Sequence, residues 1–210
     1  MLARARVIAI TDRHQMVPAQ ILASGDVAAI GAAYGRTIER AVSGCPAGSV
    51  IVQVREKDLD GGLLFELVSI ARQYSFVLVN DRVDVALAAG ARGVHLPEHG
   101  IPVADARRVF RGVIGVSRHA PDRDSGADLV QLGPIWPTPS KPGAEPLGAA
   151  ALGISHGAAK LVAVGGIATT ERARLAVQAG ADAVAVIRAA WSGNSLVSYV
   201  TAVEAGLALR

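Results

Sequence analysis

Short runs of consecutive apolar residues alternate along the chain with longer, Ala-rich stretches of helical periodicity. This alternation is typical of parallel strands that helices cover on both faces of the sheet. We predict eight strands, at residues 7–11, 50–54, 76–79, 93–96, 113–116, 129–132, 161–164 and 183–187. Helices are predicted between them at residues 27–42, 62–73, 82–89, 103–108, 149–157, 170–179 and 196–207. The fifth connection, residues 120–125, is too short and too rich in Asp for more than one helical turn.

Three connections repeat one local pattern, a glycine that follows a helix and precedes a small residue and an apolar strand. The glycines are Gly90, Gly126 and Gly180. A glycine after a helix favours the left-handed conformation, so each segment is predicted to be a short αβ loop. Eight strands joined in this way predict a single (β/α)8 TIM-barrel domain over residues 1–210 with a shortened fifth helix. The alternative is a doubly wound open sheet, which usually has a glycine-rich turn after its first strand, and residues 10–14 have none.

The amino-acid composition excludes several classes of protein. The 210 residues are 51% hydrophobic and 19% charged, enough for one substantial core. The lone Cys45 forms no disulfide framework, and no secretory signal pattern is present, so a cytoplasmic protein is expected. No window of about 18 residues is free of charge and turn formers, which argues against a membrane partner. A net charge of +3 from scattered basic residues argues against nucleic acid and leaves a small anionic ligand open.

Polar residues follow the predicted strands, where a barrel carries its function. Gln53, Arg55 and Lys57 end the second strand, and two cations so close together can hold an oxyanion, although an exposed charged turn would look the same. Asn80 and Asp81 end the third strand, where Asp81 can bind Mg²⁺ or the pair can cap the next helix.

Later strands carry a histidine, a Pro-rich loop and a glycine pair. His119 follows the fifth strand and is a candidate proton shuttle, because imidazole titrates near neutral pH. In the loop at residues 133–143, Thr138, Ser140 and Lys141 supply hydroxyls and a cation suited to covering a phosphorylated ligand. Gly165 and Gly166 follow the seventh strand, where bare backbone amides can bind a phosphate.

Taken in order, these segments resemble the thiamin phosphate synthase and thiazole tautomerase (TenI-like) family. The resemblance runs through IAITD, VQVREK, VNDRVDVALAAGARGVHL, IGVSRH, GADLVQLGPIWPTPSKP, VAVGGI and AGADAVAVI. It implies an enzyme of thiamin biosynthesis that joins aminopyrimidine methyl diphosphate to thiazole phosphate, gives thiamin phosphate and releases pyrophosphate with the help of Mg²⁺. Its implied partners are the two small phosphorylated substrates, and a homo-oligomer stays open.

The resemblance also assigns residues. It implies that pyrimidine and diphosphate are held by Gln53, Arg55, Lys57 and Asn80, and that Asp81 binds Mg²⁺. Positions that contact diphosphate or the thiazole phosphate correspond to Ser117, Thr138, Ser140 and Lys141. The thiazole-phosphate cradle corresponds to Gly165, Gly166 and the backbone near Val186 and Ile187.

The chain departs from the synthase pattern after the fourth and eighth strands. HLPEHG replaces HLGQED, so Gly100 stands where the second Mg²⁺ ligand is expected, and Glu98 is a candidate replacement. Arg188 replaces a serine beside the phosphate cradle, where it can add a phosphate contact or block the site. One alternative is a TenI-type tautomerase that acts on thiazole carboxylate phosphate through His119. The other is a catalytically silent protein that binds thiazole phosphate.

Overall fold

The computed structural model describes residues 2–120, 126–153, 157, 159–193 and 195–210. This part of the chain contains eight strands and nine α-helices. The strands are β1 (Val7–Ile10), β2 (Val50–Val54), β3 (Phe76–Asn80), β4 (Gly93–Leu96), β5 (Val113–Arg118), β6 (Leu129–Leu132), β7 (Lys160–Val164) and β8 (Ala183–Val186). The helices are α1 (Arg13–Met16), α2 (Ala19–Ser24), α3 (Val27–Val42), α4 (Gly61–Ala71), α5 (Val83–Ala88), α6 (Val103–Val109), α7 (Thr170–Gln178), α8 (Arg188–Trp191) and α9 (Val197–Leu207). Short 3-10 turns cover Leu2–Arg4 and Ala149–Gly153.

The strands form a closed barrel. Each strand pairs in parallel with the next one in the chain, and β8 pairs with β1. The predicted (β/α)8 TIM barrel is therefore confirmed. Residues 121–125, which include most of the fifth connection, lie outside the described residues, so the shortened fifth helix stays a prediction.

Alternation of side chains along the strands divides the core into two parts. Ile8, Ile51, Leu78 and Leu129 are among the residues that fill the inside of the barrel. Their neighbours along the strands, such as Val52, pack outward against the helices. Because both faces of each strand are buried, the strands appear in the sequence as continuous apolar runs.

The longer helices begin at side chains that accept hydrogen bonds from their first free backbone N–H groups. Asp26 caps α3 by accepting from the backbone N of Ala28 and Ala29, and Asp60 caps α4 by accepting from Leu63 N. Thr169 caps α7. Two of the three predicted αβ loops are also confirmed, since Gly90 follows α5 and Gly180 follows α7, each with a positive φ angle. Gly126 has a positive φ as well, but residues 121–125 lie outside the described part of the chain, so its αβ loop stays a prediction.

Several helix predictions need correction. The helix expected at residues 149–157 is a 3-10 turn over Ala149–Gly153, and residues 154–156 lie outside the described part of the chain. Only Leu152 of this turn is buried, so these five residues offer a helix little apolar surface to pack. The short helices α1, α2 and α8 were not predicted, because four to six residues are too few to show a helical period.

The C-terminal aromatic residues pack inside the protein. The indole Nε1 of Trp191 donates to the carbonyl oxygen of Ile10 at 2.8 Å, and the side chain is buried. Tyr199, on α9, is also buried. Both residues therefore contribute to the core. Within the described residues, every helix is too short or too polar to cross a bilayer.

Candidate active site

A layer of amide side chains lies inside the barrel just below its carboxyl end. Gln53, on β2, donates through Nε2 to Oδ1 of Asn80 on β3 at 3.2 Å. Gln131, on β6, donates to Oε1 of Gln53 at 2.6 Å. Gln53 and Gln131 are almost completely buried. The predicted pair Gln53 and Asn80 thus lies together, and the layer can present amide donors and acceptors to a heteroaromatic ring.

His95 and Ser117 extend this layer across the neighbouring strands β4 and β5. Nε2 of His95 lies 2.9 Å from Oγ of Ser117, whereas the buried Nδ1 has no hydrogen-bond partner. Burial, with a smaller contribution from Arg55, lowers the pKa of His95 from 6.5 to about 3, so the imidazole is neutral at physiological pH. We infer that Nε2 carries the proton and donates to Ser117, which leaves the serine hydroxyl free to donate to a ligand.

The neutral His95 predicts how stability depends on acid. The unfolded state takes up a proton near pH 6.5 and the folded state only near pH 3, so the free energy of unfolding should fall as the pH drops between these values. Protonation of His95 should account for roughly a few kcal/mol of this fall in the free energy of unfolding, and the His95→Gln variant should lack that contribution. Urea unfolding at pH 7 and pH 4 measures it. His99→Gln is the matched control, since His99 is exposed, and equal acid sensitivity in both variants would contradict a buried neutral His95.

Three cations lie at the mouth of the barrel above the amide layer. The backbone N of Arg55 donates to Oγ1 of Thr11 at 2.9 Å, which ties the end of β2 to the end of β1. Burial lowers the pKa of the Arg55 guanidinium. Burial also lowers the pKa of Lys141, and Arg55 and Lys57 lower it further, whereas Glu98 raises it. Arg55 and Lys57 therefore both lie close enough to Lys141 to repel it, and three cations at one rim are suited to a multiply charged anion.

Glu98 and His119 meet at the rim between β4 and β5. Oε1 of Glu98 accepts from the backbone N of His119 at 3.2 Å, and Oε2 contacts Nδ1 of the ring. Burial acts to raise the pKa of Glu98, but the bonds from His119 outweigh it, and the pKa is below its usual range. Nε2 of His119 contacts Nζ of Lys141 from the Pro-rich loop. Both oxygens of Glu98 are thus engaged by His119, which the sequence did not predict.

Asp81 has an unusual backbone conformation. With a φ of 65° it is the one non-glycine residue of the described chain with a positive φ, and its backbone N donates to the carbonyl oxygen of His95 at 2.8 Å. The position that caps α5 is Arg82, so neither Asn80 nor Asp81 is the helix cap. A non-glycine residue in this conformation costs about 1–3 kcal/mol and is often found at functional sites.

Among the described side chains at this rim, one carboxylate, that of Asp81, is available to bind a Mg²⁺ ion. The carboxylate of Asp81 has no hydrogen bond or ion pair among the described residues, and so is free to bind a cation. Gly100 offers no side chain, and Glu98 is held by His119. In the described part of the chain, no three His, Cys, Asp or Glu side chains cluster closely enough to hold a metal. One carboxylate is sufficient for Mg²⁺ where substrate phosphates complete its coordination.

Gly165 and Gly166 hold the start of the Pro-rich loop against the end of β7. Their φ angles are 95° and 71°. A Cβ at Gly165 would lie 2.6 Å from Cα of Pro134, and one at Gly166 would lie 2.6 Å from Cβ of Trp136. The backbone N of Trp136 donates to the carbonyl oxygen of Gly165 at 3.2 Å. Glycine is required at both positions because the two backbones approach so closely.

The remaining predicted residues lie at the same end of the barrel. Val186 ends β8 and Ile187 follows it, while Arg188 is at the start of the four-residue α8. Thr138 and Ser140 form only a local turn, in which the backbone N of Ser140 donates to Oγ1 of Thr138 at 3.4 Å. The carboxyl rim thus carries every predicted site residue, but the structure gives Thr138, Ser140 and Arg188 no contact with the amide layer.

Two further cavities, of about 390 and 570 Å³, open at the opposite, amino end of the strands. They are lined by residues that precede the strands, such as Arg92, Asp128 and Asp182. Asp128 accepts from Arg107 at 2.5 Å and from the backbone N of Ile114 at 2.7 Å, which connects β5 with the segment before β6. Residues at this end of a barrel usually contribute to stability.

The sequence contained a signal for two polar residues that were not predicted as part of the site. Gln131 and His95 each interrupt a short apolar strand, LVQL and GVHL, at a position that points into the barrel. A polar side chain inside a buried strand needs a hydrogen-bonding partner, which Gln53 provides for Gln131 from across the barrel and Ser117 provides for His95 from the next strand.

The closed parallel eight-stranded barrel defines a TIM-barrel protein, and the cations, amides and glycine pair at its carboxyl rim are groups that can bind a phosphorylated ligand. The family model described as thiamine monophosphate synthase matches residues 21–190. The chain belongs to the thiamine monophosphate synthase family, which confirms the resemblance seen in the sequence.

Individual relatives agree with this assignment. A thiamine-phosphate synthase from Thermus thermophilus is 35% identical over 73% of this chain and 80% of its own length. A relative from Geobacter sulfurreducens with the name "Putative thiamine-phosphate synthase" is 43% identical over 66% of this chain, and the alignment spans 64% of that relative. The solved structure of a thiamine phosphate pyrophosphorylase from Pyrococcus furiosus superposes with a TM-score of 0.75 at 25% identity, over 99% of this chain and all of that one.

Proposed function

We propose that this protein is a thiamin phosphate synthase, a transferase that condenses aminopyrimidine methyl diphosphate with thiazole phosphate. Besides family membership, one observation supports the proposal: Arg55 and Lys57 lie close enough to Lys141 to lower its pKa, at the rim where a hydrogen bond joins the amides of Gln53 and Asn80. A diphosphate joined to a pyrimidine needs this combination, cations for one end and fixed amides for the other.

The proposed roles follow from the position of each residue at the rim. Gln53 and Asn80 bind the pyrimidine, and Ser117 donates its free hydroxyl hydrogen to the diphosphate. Arg55, Lys57 and Lys141 neutralise the diphosphate as its charge develops. The thiazole phosphate is bound by Thr138, Ser140, Gly165, Gly166 and the backbone at Val186 and Ile187.

In the proposed reaction the protein stabilises the charge of the leaving diphosphate and orients the two substrates. The bond between the pyrimidine methylene carbon and the diphosphate oxygen breaks, and pyrophosphate takes the electron pair. The ring stabilises the remaining cation, and the thiazole nitrogen then forms the new carbon–nitrogen bond with its lone pair. No residue has to act as a nucleophile. Cations preorganised at the departing diphosphate act where negative charge increases, which is the effective place for them.

Asp81 is the residue proposed to hold Mg²⁺, with oxygens of the diphosphate as its further ligands. The ion would add positive charge beside the leaving group. The unpaired carboxylate of Asp81 and its constrained backbone support this role. Glu98 is not proposed as the replacement for the carboxylate missing at Gly100, because both of its oxygens are engaged by His119.

A carboxylate restored at position 100 should strengthen Mg²⁺ binding. In Gly100→Asp, we expect the Mg²⁺ concentration for half-maximal activity to fall about tenfold, equivalent to about 1.4 kcal/mol. The added Cβ would lie 2.8 Å from Cγ of Pro97, so Gly100→Ala serves as a control with the same crowding and no carboxylate. If the two variants have the same Mg²⁺ requirement, the missing ligand does not limit metal binding.

The direct test of the proposed function is turnover. Purified protein with both substrates and Mg²⁺ should form thiamin phosphate and pyrophosphate in equal amounts, detected by chromatography. Asp81→Asn should reduce this rate. Binding of thiazole phosphate without product would instead identify a catalytically silent binding protein.

A second candidate function is that of the thiazole tautomerase, and the contact between Glu98 and His119 favours it. A carboxylate that orients an imidazole is a common arrangement for proton transfer. The same protein incubated with the thiazole carboxylate phosphate tautomer, without diphosphate, tests this function. Isomerisation that is lost in His119→Ala, with no condensation activity in the original protein, would select the tautomerase.

A further inference from the structure

The contact chain Glu98–His119–Lys141 links three separate parts of the barrel mouth. Glu98 follows β4, His119 follows β5, and Lys141 lies in the Pro-rich loop after β6. The outer part of that loop, residues 138–145, is mostly exposed, and its backbone bonds are local, such as Lys141 N to the carbonyl oxygen of Thr138 at 3.1 Å. Among the described residues, the contact of Lys141 with His119 is the one side-chain bond from this segment to another rim loop.

The two contacts of His119 indicate which ring nitrogen carries hydrogen. The Glu98 carboxylate can only accept, so Nδ1 of His119 must carry the hydrogen in this contact. In the neutral ring, Nε2 then has a free lone pair that accepts from the Lys141 ammonium. One of the three ammonium hydrogens is used in this way, and two are left for an anion. Glu98 thus acts on Lys141 through His119.

Repulsion from the neighbouring cations explains why Lys141 needs this contact chain to stay at the mouth. Lys141 is held near Arg55 and Lys57, and their charges and the burial of the ammonium disfavour its charged form. A flexible lysine on an exposed loop would relieve the repulsion by turning into solvent. A carboxylate that acts through an imidazole can hold it at the mouth without placing negative charge directly against the anion site.

We propose that Glu98 is a positioning residue that, through His119, holds the Lys141 ammonium beside Arg55 and Lys57 to receive the diphosphate. The inference rests on the proposed synthase function, because it assumes that a diphosphate is the anion. It also gives Glu98 a role different from that of a metal ligand.

Binding of inorganic pyrophosphate, measured by calorimetry without Mg²⁺, tests this proposal independently of turnover. Glu98→Gln should raise the Kd for pyrophosphate about tenfold, because the amide cannot accept both bonds from His119. In a Lys141→Met background the same Glu98→Gln change should have no effect, since the residue through which it acts is gone. Glu39→Gln, which removes the same charge from the exposed face of α3, is the control and should leave Kd unchanged.

A second measurement detects the contact itself. In ¹⁵N NMR spectra of the imidazoles, the His119 signals, assigned by their loss in His119→Asn, should show hydrogen on Nδ1 and should change in Glu98→Gln. An unchanged Kd in Glu98→Gln, or an equal rise with and without Lys141, would overturn the proposal. Failure of the original protein to bind pyrophosphate would overturn both the diphosphate site and this inference. Pyrophosphate binding with the expected variant effects but no thiamin phosphate formation would count against the synthase activity alone.

Discussion

Replacing Arg55 with methionine should lower kcat/KM for condensation by about 10²–10³-fold, equivalent to about 2.7–4 kcal/mol of transition-state stabilisation. The guanidinium is half-buried at the mouth and, among the described residues, Glu56 and Asp12 act on it electrostatically but none forms a hydrogen bond or ion pair with it, so it is available to the leaving diphosphate. Steady-state kinetics with the diphosphate substrate varied would measure the loss.

The same variant should not be less stable than the original protein. Burial lowers the pKa of Arg55, which means that the fold disfavours its charge. An apolar side chain of similar length relieves that cost, so the urea midpoint should stay the same or rise. Arg36→Met, on the exposed face of α3, is the control and should change neither kcat/KM nor the urea midpoint. A large loss of stability in Arg55→Met would indicate that Arg55 serves the fold instead of the ligand.

The second large effect is expected from Gly166→Ala, which should destabilise the protein by about 2–5 kcal/mol. The left-handed φ of 71° penalises any side chain, and the new Cβ would lie 2.8 Å from the carbonyl oxygens of Trp136 and Pro137. Because these are backbone atoms, no rotamer change can relieve the contact. Urea unfolding followed by circular dichroism would measure the change in the free energy of unfolding.

The Gly143→Ala variant separates the conformational cost of a side chain at positive φ from the cost of the close backbone contacts. Gly143 has a φ of 78° in the same loop, but a Cβ there would meet nothing within 4 Å. It should therefore show only the conformational cost, about 1 kcal/mol. If Gly166→Ala is no less stable than Gly143→Ala, the loop can move away from β7, and the glycine pair is not a rigid phosphate cradle.

Most of the barrel could be predicted from the sequence because its strands are buried on both faces. β2, β4 and β6 have the predicted bounds, while β3 and β5 extend to Asn80 and Arg118. These extensions add polar residues at the rim, where the apolar pattern stops but backbone pairing continues. Hydrophobicity alone could not find them.

The location of the site could also be predicted, but not all of its contacts. Parallel strands bring their carboxyl ends to one rim, so Arg55, Asp81 and Gly165 were expected on the same face of the barrel. The bond between Gln53 and Gln131 joins residues 78 positions apart, and the partnership of Glu98 with His119 depends on how two rim loops fold. Such contacts depend on tertiary geometry that local patterns do not contain.

Closure of the barrel has a consequence for synthesis of the protein. β1 pairs with β8, and the indole of Trp191 reaches the carbonyl oxygen of Ile10 from 181 residues away. While the nascent chain emerges from the ribosome, one edge of β1 therefore has no partner until the last strand has been made. An unpaired edge can associate with other chains, so translation that pauses before β8 should increase aggregation.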